Sequence, residues 1–329
     1  MVIMPQRMLR IIPWVLTLGI FAILFQRVPF GDVMAALQQV RFAAYFGVMV
    51  PYSLVYCSID AFVLSRLLQW FHAPIPYRRV LPVRAAAYIL SLLNPGLGQG
   101  GVALALYRRE GVPFLEITGS LLFLAVLEFC QLALYAAIGI FGLQTHLAIA
   151  FAPVYVVLAG GLTVALLCIR REIDPLALLL THLRRWRSGD QTYRAPNRLP
   201  HARLLRTFKR ARLWHYVLTL LYKAPNFLLA VVVHYYALQL FGVYIPFLRL
   251  LGFLPIVFLV ASLPVTVAHL GTSQAAWLYF FAAYGEAAPL LAYSLVAHVT
   301  FMVLNGLIGV GFLPWALRGV REKSAATTA

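Results

Sequence analysis

Apolar runs long enough to cross a lipid bilayer constrain this chain more than any other feature. Residues 11–25, 42–71, 114–143, 154–169, 213–241 and 290–317 are each interrupted by few charges. A hydrocarbon core of about 30 Å takes roughly 20 residues as helix, and most of the runs meet that length. The composition agrees. The chain is 62% hydrophobic and 11% charged, against about 45–50% and 25% in a soluble domain. Cys57, Cys130 and Cys168 all fall inside the apolar runs without Cys-x-x-Cys spacing, so they read as small buried hydrophobes. The stretch after Arg7 and Arg10 has the basic flank and apolar core of a signal peptide. It has no small-residue cleavage site before Gln26 and Arg27, and reads as the first spanning helix.

The net charge of +17 would suggest nucleic acid in a soluble protein, but its distribution argues otherwise. With a cytoplasmic N-terminus and alternating spans, 23 of the 27 Lys and Arg residues fall on the cytoplasmic side, twelve of them in 170–212. That asymmetry predicts an inner-membrane protein with both termini cytoplasmic. The 170–212 loop reads as a topology signal with weak attraction to anionic lipid, or as a docking arm for a cytosolic partner or an RNA.

Two regions break the pattern of full spans. Residues 80–93 are apolar but short. The run Asn94-Pro95-Gly96-Leu97-Gly98-Gln99-Gly100-Gly101 interrupts them, and a second short arm ends at Arg108 and Arg109. Arginines at both mouths suggest a re-entrant hairpin over 80–110. A second short arm pair, 246–284, is broken around His269, Gly271 and Thr272; its first arm, 246–263, could instead cross fully. The expected fold is all-α and polytopic, one transmembrane domain over 1–329. It has about six spanning helices and two oppositely oriented re-entrant hairpins, forming an inverted repeat: repeat A about 42–143, a connecting span at 148–169, the basic loop 170–212, and repeat B about 213–317. Inverted repeats of this kind are frequent among transporters. The hairpin turns would offer amide groups at helix N-termini to an anionic headgroup, or their glycines and prolines would serve packing and helix termination alone.

Polar residues within the long runs recur at helical spacing: Ser53, Tyr56 or Cys57, and Asp60; Glu128, Gln131 and Tyr135; Thr219, Lys223, Asn226 and His234; Ser294, His298 and Asn305. Such residues in lipid normally face a bundle interior. They make either interhelical hydrogen bonds, worth about 0.6 kcal/mol each, or a polar cavity. In the cavity reading, Arg84 and Lys223 meet a lipid phosphate while Glu128 and Asp60 balance charge or bind a cationic headgroup or a proton; Lys223 and Glu128 alternatively pair with each other. The candidate substrate-binding set is Arg84, Asn94, Gly96, Gly98, Gln99, Gly100, Glu128, Lys223, Asn226, His269, Gly271, Thr272, Gln274 and His298. Nothing in the spacing suggests a nucleotide loop, cofactor or metal, so no catalytic role is expected. An acid–base pair near an interface would have to come from Glu110 and Glu116 with Arg108 and Arg109.

The runs from Leu92-Leu93-Asn94-Pro95-Gly96 to Tyr107-Arg108-Arg109-Glu110-Gly111-Val112, and from Leu263-Pro264-Val265-Thr266 to Leu270-Gly271-Thr272-Ser273-Gln274-Ala275-Ala276, carry a resemblance. With Phe30-Gly31-Asp32-Val33 onward, they resemble the lysylphosphatidylglycerol synthase transmembrane, or flippase-like, family over most of 10–317. The chain departs from the family's Gly-Glu-x-x-Arg run, with Gln99-Gly100-Gly101-Val102-Ala103, and from its Arg-Glu, with Ser273-Gln274. The resemblance implies lipid handling or flipping without an aminoacyl-transferase domain. Expected partners are a membrane lipid with an anionic headgroup, a cytosolic protein at 170–212 and a second copy of the chain, with no nucleic acid. The rival to lipid movement is a non-catalytic membrane subunit that recruits a cytosolic enzyme.

Overall fold

The computed structural model describes residues 6–142, 203–262, 266 and 269–328, with isolated positions between 156 and 171. Every described element is helical. Four helices are long and apolar enough to span: α3 (Phe42–Phe71), α6 (Phe114–Gly142), α8 (Leu213–Gln239) and α11 (Ala287–Thr328, apolar through Arg318). At 1.5 Å per residue the shortest, with 27 residues, is roughly 40 Å long and overshoots the hydrocarbon core. Their exposed sides are apolar on a helical period, as in Val217, Leu221, Leu228 and Val232 of α8 or Val299, Val303, Leu307 and Val310 of α11. Such stripes suit lipid contact rather than water.

α1 (Gln6–Arg27), the expected first span, is 22 residues long and is followed by the short α2 (Phe30–Gln38). The axes of 13–27 and 30–38 diverge by 78°. Pro29, which has no amide hydrogen to continue the helix, stands at the corner as N-cap of α2. Six full spans were expected. Four long helices and this bent pair are what the described residues contain, and the sixth expected span, 148–169, lies outside them apart from a few isolated positions.

Both broken regions form paired short helices. In the first, α4 (Tyr77–Leu93) and α5 (Pro95–Glu110) flank Asn94, whose extended backbone and N-cap side chain start α5. In the second, α9 (Phe247–Ser262) and α10 (Thr272–Phe281) flank a turn in which His269 and Gly271 have φ of 61° and 89°. Positive φ favours glycine, and His269 adopts it as a single left-handed residue whose carbonyl accepts from the Thr272 hydroxyl. The arms have 17, 16, 16 and 10 residues, roughly 15–26 Å each, too short for a comfortable crossing.

The packing of α3–α6 mirrors that of α8–α11. Helix α3 lies on α8. The first arm α4 packs on α11, and its counterpart α9 packs on α6. Both of these crossings use glycine on the long helix: Gly309 meets the Ala85 carbonyl, and Gly139 meets the backbone of Gly252. Within each set, the arms pair with each other and the second arm packs on the following long helix. Exchanging the two sets leaves these pairings unchanged.

The end of the basic segment is not a solvated loop. Residues 203–211 contain α7 (Arg206–Arg210), which packs against α6 with Thr207, Phe208 and Ala211 buried. The Leu204 carbonyl lies so close to Gly119 that a methyl there would overlap it. Residues 170–202, most of the expected docking arm 170–212, lie outside the described residues apart from Arg171.

Candidate functional site

A charged group in the hydrocarbon region needs a partner, and four of them find each other here. Asp60 on α3 is the hub, with a side chain only 2% exposed. Its Oδ2 accepts from Arg84 Nε of α4 at 2.5 Å and from the Tyr88 hydroxyl at 3.3 Å. Its Oδ1 accepts from Lys223 Nζ of α8 at 2.9 Å. Arg84 Nη1 also donates to the Gln99 side-chain oxygen of α5 at 2.9 Å. Lys223 lies 3.4 Å from Glu128 Oε2 of α6, longer than a good charge-assisted hydrogen bond. Two cations and two carboxylates therefore balance.

The helices deliver these groups to one depth. Glu128 is the central residue of α6, and Asp60 and Lys223 sit about three turns from the nearer ends of α3 and α8. Arg84 and Tyr88 are one turn apart on α4, and both reach Asp60. Burial differs sharply within the centre. Lys223 is 3% exposed and Glu128 43%, so the centre is sealed at Asp60 and open at Glu128. One turn from Lys223, Asn226 is buried, with neither side-chain amide atom partnered among the described residues; Ser53 Oγ on α3 is in the same state.

The expected set is thus brought together at Arg84, Gln99, Glu128 and Lys223, with Asn226 beside them. Lys223 and Glu128 do pair, as one of the alternatives had it, but the closer partner of Lys223 is Asp60. The remaining residues lie elsewhere. Asn94 Oδ1 accepts from Gly96 N at 2.7 Å, and the Asn94 carbonyl accepts from the amides of Leu97 and Gly98 at 3.0 and 3.2 Å. The expectation of free amides at this turn is corrected: they are taken by Asn94. Gly98 serves close packing of the two arms, since a methyl there would overlap Ser91 Oγ, whereas Gly100 has open space around it.

The second hairpin forms its own hydrogen-bonded cap. Gln274, fully buried, accepts from Gly271 N at 2.7 Å and donates to the Ser294 carbonyl at 3.4 Å. The Thr272 hydroxyl is 3.0 Å from that of Thr266 and donates to the His269 carbonyl at 3.1 Å. Gly271 faces Ile20 of α1. Among the described residues no hydrogen bond or ion pair joins this cap to the charge centre; residues 263–265, 267 and 268 of the turn lie outside the described residues. His298 lies on α11 near Phe301, whose ring packs on Tyr52 and Tyr56 of α3. An apolar groove of about 440 Å³ runs over α3 and α8, lined by Ile59, Phe62, Tyr222 and Pro225 among others; none of the charged side chains lines it.

Glu110 and Glu116 do not form an acid–base pair. Glu110 pairs with Arg79 and Arg109 at 3.3 and 3.4 Å. Glu116 belongs to a second polar cluster, which sequence reasoning missed. There His72, just past α3, donates from Nδ1 toward Glu116 at 3.2 Å and accepts at Nε2 from the Ser120 hydroxyl at 2.7 Å. Thr207 of α7 is 2.9 Å from Ser120, and Arg206 pairs with Glu116. The order carboxylate, imidazole, hydroxyl is that of a hydrolytic triad. Ser120, however, is fully buried within a helix whose amides are engaged in its own ladder, and it is covered by Thr207. The cluster works as a clasp for 203–211.

The family described as the lysylphosphatidylglycerol synthase TM region matches residues 10–309. The chain belongs to that family. No curated protein matches the chain individually. As a member of this family with four to five apolar span candidates, it is a multi-pass membrane protein. The family match encloses both hairpins, the charge centre and the clasp. Within the 99–103 run, Gln99 supplies the one side chain bonded to the centre.

Proposed function

We propose that the protein moves an amphipathic lipid between leaflets, with Lys223 and Arg84 receiving an anionic headgroup at the charge centre. The observation that carries this reading is a balanced cluster of two cations and two carboxylates at mid-span, exposed on one side at Glu128. Isolated charges at that depth cost roughly 2.5–3.5 kcal/mol or more and mark substrate pathways by default. Unpartnered Asn226 adds hydrogen-bonding capacity one turn away. Some members of the family are proposed to be flippases. The mirrored packing of α3–α6 and α8–α11 supports an inverted repeat, the arrangement in which one half rocks against the other. The basic residues gathered in 170–212 and near both termini support an inner membrane with both termini cytoplasmic.

Leaflet exchange in proteoliposomes tests the proposal. Labelled phosphatidylglycerol should exchange faster with the protein than in empty vesicles, and Lys223→Met should abolish the acceleration. Unaccelerated exchange with each lipid class of the native membrane would reject transport. Recruitment of a cytosolic enzyme would then have to show itself as a stoichiometric partner lost on deleting 170–202.

A further inference from the structure

Glu128 occupies a position that a fixed carboxylate tolerates poorly. It is the central residue of a 29-residue spanning helix, roughly 21 Å from either end. Its side chain cannot reach a headgroup layer from there. It is 43% exposed and is followed by Phe129, an exposed member of the α6 apolar face. Its one ion-pair partner among the described residues is Lys223 at 3.4 Å, and that amine is already engaged at 2.9 Å by Asp60. Asp60 differs in kind: it is sealed in and held by Arg84, Lys223 and Tyr88 together. One carboxylate of the centre is fixed, and the other is held by a single shared contact.

We propose that Glu128 and the lipid headgroup compete for Lys223, so that headgroup binding is coupled to uptake of one proton by Glu128. This rests on the headgroup reading of the centre. A phosphodiester arriving at the open side meets Lys223 where Glu128 stands, because the other side of the amine is closed by Asp60. Displaced, the Glu128 carboxylate would stand unpaired beside an anion at mid-membrane. Two like charges at that distance disfavour ionisation of one of them, and the carboxyl takes a proton from water at the open mouth. One O–H bond forms on Glu128 as one breaks in a hydronium ion at the open mouth, and the centre, neutral when empty, stays neutral with its monoanionic ligand bound. The groups facing Glu128 keep the exchange local. α8 presents Lys223; α3 presents Asp60, Tyr52 and Tyr56. Arg84 and Tyr88 of α4 and Gln99 of α5 stand behind Asp60. Arg206, Lys209 and Arg210 of α7 belong to the Glu116 end of α6, and Arg249 to the start of α9.

Proton uptake on lipid binding reads this directly. Short-chain phosphatidylglycerol is titrated into the purified, detergent-solubilised full chain in weak buffer with a pH dye, and bound lipid is measured separately by native mass spectrometry. The wild type should take up about one proton per bound headgroup, since binding and protonation are linked reciprocally. Glu128→Gln, which is neutral and nearly isosteric, should bind the lipid at least as tightly with no uptake, and Glu128→Asp should restore uptake. Binding by the wild type without uptake, or equal uptake by Glu128→Gln, overturns the coupling and leaves the headgroup site standing. Failure of the wild type to bind any anionic lipid overturns both.

Discussion

At the scale of single residues, Asp60 organises the centre and is the position most sensitive to loss of charge. Asp60→Asn leaves Arg84 and Lys223 without their shared carboxylate at 2.5 and 2.9 Å. Breaking a buried ion pair from one side costs roughly 3–5 kcal/mol, so the detergent-solubilised variant should melt well below the wild type. Lys223→Met should also destabilise. The double variant should lose clearly less than the two single losses added, because the groups share one interaction; simple additivity would show that they do not interact. Much of this centre was legible in the sequence, because a charge inside an apolar run announces itself: Arg84, Glu128 and Lys223 were all picked out that way. Asp60 stands out in the sequence beside Glu128 but outside the candidate binding set, and Tyr88 was missed, although it stands one turn from Arg84. Which charges pair depends on how α3, α4, α6 and α8 are placed around one another, and a periodicity along one helix does not carry that.

At the scale of elements, the breaks were readable and their purpose was not. Asn94-Pro95 is an N-cap followed by a proline at the first helical position, a helix-start signal that also closes off the amides once thought available. In the second hairpin, Gly271 combines φ of 89° with Ile20 at 3.2 Å from an added Cβ. Gly271→Ala should therefore lower thermal stability by about 1 kcal/mol or more, whereas Gly100→Ala, inside helix α5 with open space around it, should stabilise by about 0.5–1 kcal/mol. Equal effects at the two glycines would contradict this account of the turn.

The clasp makes a prediction of a different kind. Burial is the largest influence on His72 and lowers its pKa from 6.5, with Arg206 and Arg210 adding to the effect and Glu116 opposing it. The folded protein thus holds the ring neutral while the unfolded chain protonates first. Stability is complete above about pH 6.5, declines as the pH falls through that value, and levels off below the folded-state pKa. Melting temperature measured against pH should show that decline, and His72→Gln should flatten it; an unchanged profile would remove His72 as its source. Nothing in the composition of 203–211 foretold this docking, because a basic stretch reads as solvated until its few apolar side chains, Phe208 above all, are seen seated on α6.

At the scale of the molecule, the mirrored packing of two helix sets is joined to a site that is not symmetric. One hairpin supplies Arg84, Tyr88 and Gln99; the other is tied to α1 and α11 by Gly271 and Gln274. The sequence suggested the repeat through its paired breaks, and it suggested a shared midpoint as well. The two sets pair their helices alike, while the described side chains of the second hairpin turn are bonded within their own cap and to α11. The account as a whole stands on a lipid headgroup being held at Lys223. The most direct measurement is native mass spectrometry of the protein taken gently from its own membrane, wild type beside Lys223→Met. The wild type should retain an anionic lipid that Lys223→Met loses, with neutral lipids retained equally by both. Retention of the same anionic lipid by both proteins would contradict the account.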